Sequence, residues 1–268
     1  MIESTAEALM TTDMSATATR DAEGTRKANV YSAEVSEFYD LVYKGRGKNY
    51  AHESAVITEL VRARRPGAAS LLDVACGTGE HLRTFRLMFD EVEGVELSPT
   101  MRAAARGKVP GVTIHDGDIR RFDTGRTYDA VCSLFGTLGY MTDTAELEAA
   151  VGSMAAHLPT GGVLIVEPWY FPAKFIDGHI SGDLVRGADR TVTRVMRVAR
   201  ATGSTVLQEA HWSVVDATGV RHFDQAQIFT LFEPADYTAA FRRAGCDAEY
   251  IESGDIGDGR GLFVGIRH

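Results

Sequence analysis

The chain has only three cysteines in 268 residues, Cys76, Cys132 and Cys246, widely spaced and with no CxxC pair. That excludes a disulfide framework and a thiolate metal site, and leaves reduced thiols that pack as small core residues. No run approaches the roughly 20 apolar residues of a membrane helix, and the polar, Thr/Ala-rich start has no apolar centre of the kind a secretory signal carries. The expectation is a cytoplasmic protein with no membrane attachment. Positive charge is also short: 28 Lys and Arg stand against 37 Asp and Glu, a formal net charge of −9. A nucleic-acid partner is therefore not expected, since a phosphate backbone needs a basic surface. An anionic small ligand would have to be held by local cations. The histidines show no HxxxH spacing, so no metal is expected.

What is present is enough apolar residue, 44%, to build a full α/β core with room for an insertion. Residues 1–28 are poor in large apolar side chains and predict a disordered tail. Over 29–68, Val35, Phe38, Tyr39 and Val42, then Ala55, Val56, Leu60 and Val61, recur at helical intervals, with a basic glycine loop between them at Lys44–Tyr50. Over 69–173 short apolar runs at Ser70–Ala75, Val92–Leu97, Thr113–His115, Ala130–Leu134 and Val163–Val166 alternate with helix-compatible stretches. One of these can be capped by Asp143 or Thr144. Such alternation implies a parallel sheet with helices on both faces. Over 174–232 the pattern becomes β-branched and turn-rich ("RGAD", "DATG") and predicts an antiparallel β insertion. Over 233–268 a helix stopped by Gly245 and two strands complete the core.

The stretch "SLLDVACGTGEHL" sets the chemical question. In an open parallel sheet the ligand crevice lies beyond the carboxyl ends of the strands, where the order reverses, and Gly77 and Gly79 fall there. A dinucleotide fingerprint would continue to a third glycine, but that position is Leu82. Three acids stand at three successive strand ends. Asp73 can accept from loop amides or hold a ligand ammonium, Glu96 is placed for two ribose hydroxyls, and Asp118 for an adenine amine between the apolar faces of Leu97 and Ile119. They suit an adenosine joined to an amino acid and suit a pyrophosphate poorly.

"LLDVACGTGEH", "VEGVELSPTM", "HDGDIRRF" and "GGVLIVEPW", in this order, resemble the class I S-adenosylmethionine-dependent methyltransferases. The resemblance implies their Rossmann-like sheet and S-adenosyl-L-methionine as cofactor, held by Tyr39, Asp73, Ala75, Gly77, Gly79, Glu96, Leu97, Asp118, Ile119 and Ser133. A narrower likeness covers nearly everything from Tyr31 onward: "YDLVYKGRGKNY", "VEPWYFP" and "GRGLFVG" are similar to the N-methyltransferases of dTDP-linked amino sugars in antibiotic pathways. That resemblance implies a dTDP-amino sugar substrate and an N,N-dimethyl product. Tyr31, eight residues before Tyr39, and Tyr140, which ends "LFGTLGY", would face the reacting amine. Tyr50, Thr137, Trp169 and Arg260 would line the substrate, Arg260 at its phosphates and Trp169 chiefly as packing at the crevice floor. Gly136 and Thr137 stand where relatives often carry paired serines, and Asp255 and Asp258 stand close to Arg260.

A neutral amine is already a strong nucleophile. Positioning, worth about 7–11 kcal/mol, outweighs a single general base worth about 10²–10⁴-fold, so catalysis by approximation is expected. The N-terminal helix, with Tyr39 and the Lys44–Tyr50 loop, is expected to close over the cofactor. Three other readings stay open from sequence. One is a methyltransferase of another small molecule, such as an O-methyltransferase, which needs a firm base or metal that is not evident. The others are a nucleotide-dependent oxidoreductase and a noncatalytic binding protein. The β insertion can wall the sugar-nucleotide pocket or form a homodimer face.

Overall fold

The structure, a computed structural model, describes residues 33–252 and 259–268. The tail expected over 1–28, Tyr31, Asp255 and Asp258 lie outside the described residues. Two helices precede the first strand, α1 (Ala33–Gly45) and α2 (Tyr50–Arg64), the second capped by Asn49, whose side chain accepts from the His52 amide at 3.0 Å. Strand β1 (Ser70–Val74) stops one residue before the sequence pattern does, because Ala75 turns to φ 61°, where no strand continues. Then come α3 (Glu80–Phe85), β2 (Glu91–Glu96), α4 (Pro99–Lys108), β3 (Thr113–Asp116) and β4 (Ala130–Ser133). A 3₁₀ turn at Thr137–Tyr140 follows β4, then α5 (Thr144–Ala156) with Asp143 as its cap, and β5 (Val163–Val166).

The insertion consists of β6 (His179–Arg186), β7 (Arg190–Thr202), β8 (Thr205–Asp216) and β9 (Gly219–Thr230), an antiparallel sheet in that order. Helix α6 (Pro234–Arg243) opens on a Glu233–Asp236 capping box and ends before Gly245 at φ 72°; β10 (Cys246–Ile251) and β11 (Leu262–Arg267) finish the chain.

The main sheet runs β10-β11-β5-β4-β1-β2-β3, with β11 antiparallel to both its neighbours and the rest parallel. Every residue of β4 and β5 is buried, as expected of strands covered on both faces. Ile57 and Val61 of α2 pack one face with Leu71 and Ala130; Leu147 and Val151 of α5 and Phe241 of α6 pack the other with Leu72 and Val131. The strand order reverses between β1 and β4, which opens the crevice at their carboxyl ends.

The two N-terminal helices, grouped by the sequence pattern as one segment, divide between the sheets. While α2 belongs to the main core, Val35, Phe38 and Val42 of α1 pack on Val192, Ala210, Trp212 and Val214 of the insertion, with the Phe38 and Trp212 rings 5.3 Å apart. The helix expected to act as a lid thus packs on the second sheet. Among the described residues no helix is long and apolar enough to cross a membrane.

Candidate active site

The crevice starts at the glycine loop between β1 and α3. Ala75, Gly77 and Gly79 all take positive φ, at 61°, 57° and 77°. A Cβ on Gly79 would sit 3.2 Å from that of Ala105, so the loop can lie against α4 only without one. At Gly77 a Cβ would meet nothing within 4 Å; there the bare backbone faces open space. The Gly77 amide donates to Glu96 Oε2 at 2.8 Å and the Ser98 amide to Oε1 at 2.7 Å. These donors partly offset the burial that raises the Glu96 carboxyl above its ordinary range, and each oxygen keeps a lone pair for a hydroxyl.

Beside the loop, Asp73 is buried. The Cys132 thiol lies 3.8 Å from its Oδ1, and its Oδ2 has no hydrogen-bond partner. Burial above all, with the nearby Glu96 charge, pushes this carboxyl up to about 6, against the opposing pull of His81. One residue beyond Asp73's partner on β4, the Ser133 hydroxyl is also buried and unpartnered, and so is the Tyr50 phenol, which burial holds well above its ordinary range. Buried polar atoms are nearly always paired. Three of the orphans are therefore side chains that the sequence reading assigns to ligands.

Asp118 stands differently. Burial raises its carboxyl, but the Arg120 side chain and amide, at 2.9 and 3.0 Å from Oδ1, outweigh that and hold it below the usual range. Arg120 continues to Glu146, so Asp118 faces the crevice already neutralised, next to the buried Ile119 and the partly exposed Leu97.

Helix α1 straps this side. Thr78 donates to Asp40, Lys108 pairs with Asp40, and Lys44 and Lys108 each reach Glu80 at 2.8 Å. Burial raises the Glu80 carboxyl, but the two lysines bring it down to about 2. Tyr39 packs on Tyr43 (4.6 Å between ring centroids), and Tyr43 stands edge-on to Phe135 (4.8 Å).

Phe135 joins the cofactor side to the acceptor side. It holds φ 63°, a strained conformation for a bulky residue, and its amide donates to Glu167 Oε2 at 2.6 Å. The Lys48 ammonium lies 4.0 Å from the ring centroid and bonds Glu53, which also takes His81 Nε2 at 2.8 Å. Arg260 lies near the same ring, 5.4 Å from its centroid, and is paired to Glu167 through Nε at 3.1 Å. Glu167 is fully buried and Arg260 only 8% exposed, so the expected phosphate anchor is already engaged by a carboxylate. Glu167 lies inside the "VEPW" motif but drew no role from sequence, since nothing local says that its partner is 93 residues away. Lys48, Glu53 and Tyr43 drew no role either: Lys48 and Glu53 pair within five residues, but their contacts to Phe135 and His81, and that of Tyr43 to Phe135, come from distant segments.

Trp169 packs: Gly136 and Gly139 lie against it, and its ring stacks on Phe229 at 4.2 Å. The Thr137 hydroxyl bonds back to Leu134 O at 3.2 Å within its own turn. Tyr140 stacks on Phe229 at 4.5 Å, and its oxygen accepts from Gln227 Nε2 at 2.8 Å. The inner face of the insertion therefore packs on Trp169 and on the turn that carries Tyr140.

Residues 71–162 match the family model described as methyltransferase domain. Over 238 residues, 88% of this chain and 99% of the relative, the sequence is 50% identical to the dTDP-3-amino-3,4,6-trideoxy-alpha-D-glucopyranose N,N-dimethyltransferase of Streptomyces venezuelae. It is 43% identical to the dTDP-4-amino-2,3,4,6-tetradeoxy-D-glucose N,N-dimethyltransferase of Saccharopolyspora spinosa, covering 90% of this chain and 96% of that one. Among solved structures it is similar to the S-adenosylmethionine-bound amino pentose methyltransferase CalS10 of Micromonospora echinaspora, with TM-score 0.79 and 49% identity over 90% of this chain and 99% of the other.

Proposed function

The chain belongs to the S-adenosylmethionine-dependent N,N-dimethyltransferases represented by these relatives, and from that premise we propose that it methylates the amino group of a dTDP-linked deoxyamino sugar, twice, to give the N,N-dimethyl sugar. The observation that carries the reading is the set of buried, unpartnered polar atoms at Asp73, Ser133 and Tyr50 around the switch between β1 and β4, in a chain whose relatives act on such sugars.

The residues present fit the cofactor. Gly77 and Gly79 let the backbone approach it, with Ala75 completing the turn. Asp73 Oδ2 and Ser133 offer acceptors to its amino-acid part and Glu96 to its ribose, while Leu97, Ile119 and Asp118 take the adenine and Tyr39 covers it. When bound, the cofactor supplies an electrophilic methyl group on a sulfonium. The protein's share is placement. Tyr31 and Tyr140 orient the amine, Tyr140 from a ring fixed on Phe229, and take its proton through water. Tyr50 and Thr137 border the sugar, Trp169 forms the floor, and Arg260 with Lys48 faces the diphosphate. The outer face of the insertion exposes Ile180, Leu184, Val195 and Val220, which supports its use between two copies of the chain, to be checked by sedimentation.

The test is mass spectrometry of products from a panel of dTDP-3-amino and dTDP-4-amino sugars with S-adenosylmethionine, paired with calorimetry of S-adenosylhomocysteine and dTDP. Mass gains of one and then two methyls on one regioisomer are expected. Binding of S-adenosylhomocysteine without dTDP, and no methylated sugar, would overturn the reading.

A further inference from the structure

Two glutamines on the inner face of the insertion form a chain that ends on Tyr140. Gln208 of β8 and Gln227 of β9 stand directly opposite in the ladder. Gln208 Nε2 donates to Gln227 Oε1 at 2.9 Å, and Gln227 Nε2 donates to Tyr140 Oη at 2.8 Å. Gln227 is buried, between Phe229 on its own strand and the 3₁₀ turn after β4. A primary amide at such a position costs desolvation that an apolar side chain of the same size would not. It persists here with both ends of the amide engaged. With Oε1 accepting from Gln208, the NH₂ group faces Tyr140. A phenol that accepts there turns its own O–H away from the sheet. Two residues along the same strand and on the same face, Phe229 sets the plane of the Tyr140 ring at 27° to its own. One strand thus fixes both the ring plane and the sense of the hydroxyl.

Resting on the reading in which Tyr140 faces the acceptor amine, we propose that Gln227, backed by Gln208, is a positioning residue for methyl transfer. Its amide occupies the sheet-side lone pair of the Tyr140 oxygen, which leaves the other lone pair to accept from an N–H of the acceptor amine. Accepting from an amine N–H, rather than donating to the nitrogen, leaves the nitrogen lone pair free to attack the methyl group.

The test is a double-mutant cycle on the full chain with the dTDP-amino sugar that the wild type turns over best. Gln227→Met keeps the length and removes the amide. It is expected to lower kcat about 3- to 10-fold while leaving both the KM for the sugar nucleotide and the affinity for S-adenosylhomocysteine unchanged. Gln208→Leu, at a half-buried site, is expected to act in the same direction and more weakly. In a Tyr140→Phe background both changes should have no further effect. Losses that multiply with Tyr140→Phe would overturn the role, because Gln227 would then act through packing. If Gln227→Met fails to fold, Gln208→Leu in the two backgrounds supplies the same cycle. A wild type that methylates no dTDP-amino sugar overturns the functional reading and this role with it, whereas an active wild type with a multiplicative cycle overturns the role alone.

Discussion

The cofactor side and the acceptor side of this crevice are built in opposite ways. Asp73, Ala75, Gly77 and Gly79 lie within seven residues, and Glu96 and Asp118 follow at the next two strand ends, so one run of β-loop-α chain makes most of the wall that we propose for the cofactor. The acceptor side draws Lys48 and Tyr50 from the N-terminal segment, Phe135 and Tyr140 from the loop after β4, Glu167 and Trp169 from beyond β5, Gln227 and Phe229 from the insertion, and Arg260 from near the C-terminus. On the first side Asp73 and Ser133 keep buried polar atoms without protein partners. On the second, charges meet inside the protein: Arg260 with Glu167, Lys48 with Glu53. The Tyr50 phenol is unpartnered on the second side too, and the first side has ion pairs of its own between Asp40, Lys44, Glu80 and Lys108; what sets the second apart is that Arg260 and Glu167, 93 residues apart, pair almost wholly out of solvent.

The most severe way to break that contrast is Arg260→Met. If the pair is structural, removing one partner leaves Glu167 charged and fully buried, and thermal unfolding should show a loss of about 3–5 kcal/mol. Adding Glu167→Gln should recover most of it. Unchanged stability with only a raised KM for the sugar nucleotide would make Arg260 a ligand anchor and nothing more.

Asp73 gives a pH signature of somewhat smaller size. Its carboxyl is raised from 3.8 to about 6, so between those values the folded protein without cofactor holds a proton that the unfolded chain has released. The stability from that proton is complete below the unfolded value and is lost as the pH climbs through about 6, a change on the order of 3 kcal/mol. Cofactor binding runs the other way, tightening over the same window as the carboxylate forms opposite an ammonium. Asp73→Asn should flatten both curves. A calorimetric affinity that does not vary across that window in the wild type would contradict the assignment.

Next comes Glu96→Gln, which keeps the shape but weakens the charged acceptor for ribose. A 10- to 100-fold loss of S-adenosylhomocysteine affinity is expected, about 1.5–3 kcal/mol, with dTDP affinity unchanged; an equal loss for both ligands would remove the distinction between the two walls. The mildest change is Tyr140→Phe. It should slow transfer roughly tenfold, the size expected for loss of a hydrogen bond to the amine. A loss beyond about 10⁴-fold would demand an essential acid–base role and contradict catalysis by approximation.

How far the sequence reaches follows from the same difference. Alternating runs of apolar strand and helix were enough to place all five parallel strands within a residue or two, and the turn signals at "RGAD" and "DATG" marked two hairpins of the insertion. Asp143 and Gly245 worked as cap and stop because capping is decided by neighbours in the chain. The glycine loop and its acids were legible for the same reason: backbone conformation and strand ends depend on contacts a few residues long.

What tertiary structure decided is everything that depends on which surface meets which. The helical pattern of α1 shows an apolar face, but only folding assigns that face to Trp212 and Val214 of the insertion, while α2 goes to the main sheet. Arg260 reads from sequence as a cation, but its buried pairing with Glu167, at the ends of the neighbouring strands β11 and β5, determines how much of that charge a ligand can feel. Tyr140 reads as an aromatic near the chemistry, and only the ladder pairing of β8 with β9 puts an amide on its oxygen. Local periodicity and turn chemistry determine the elements and the cofactor loop, because their energetics lie within the chain's own neighbourhood. Burial and pairing between distant segments set the charge and direction of each acceptor-side group, because desolvation and hydrogen bonding depend on what surrounds it after folding.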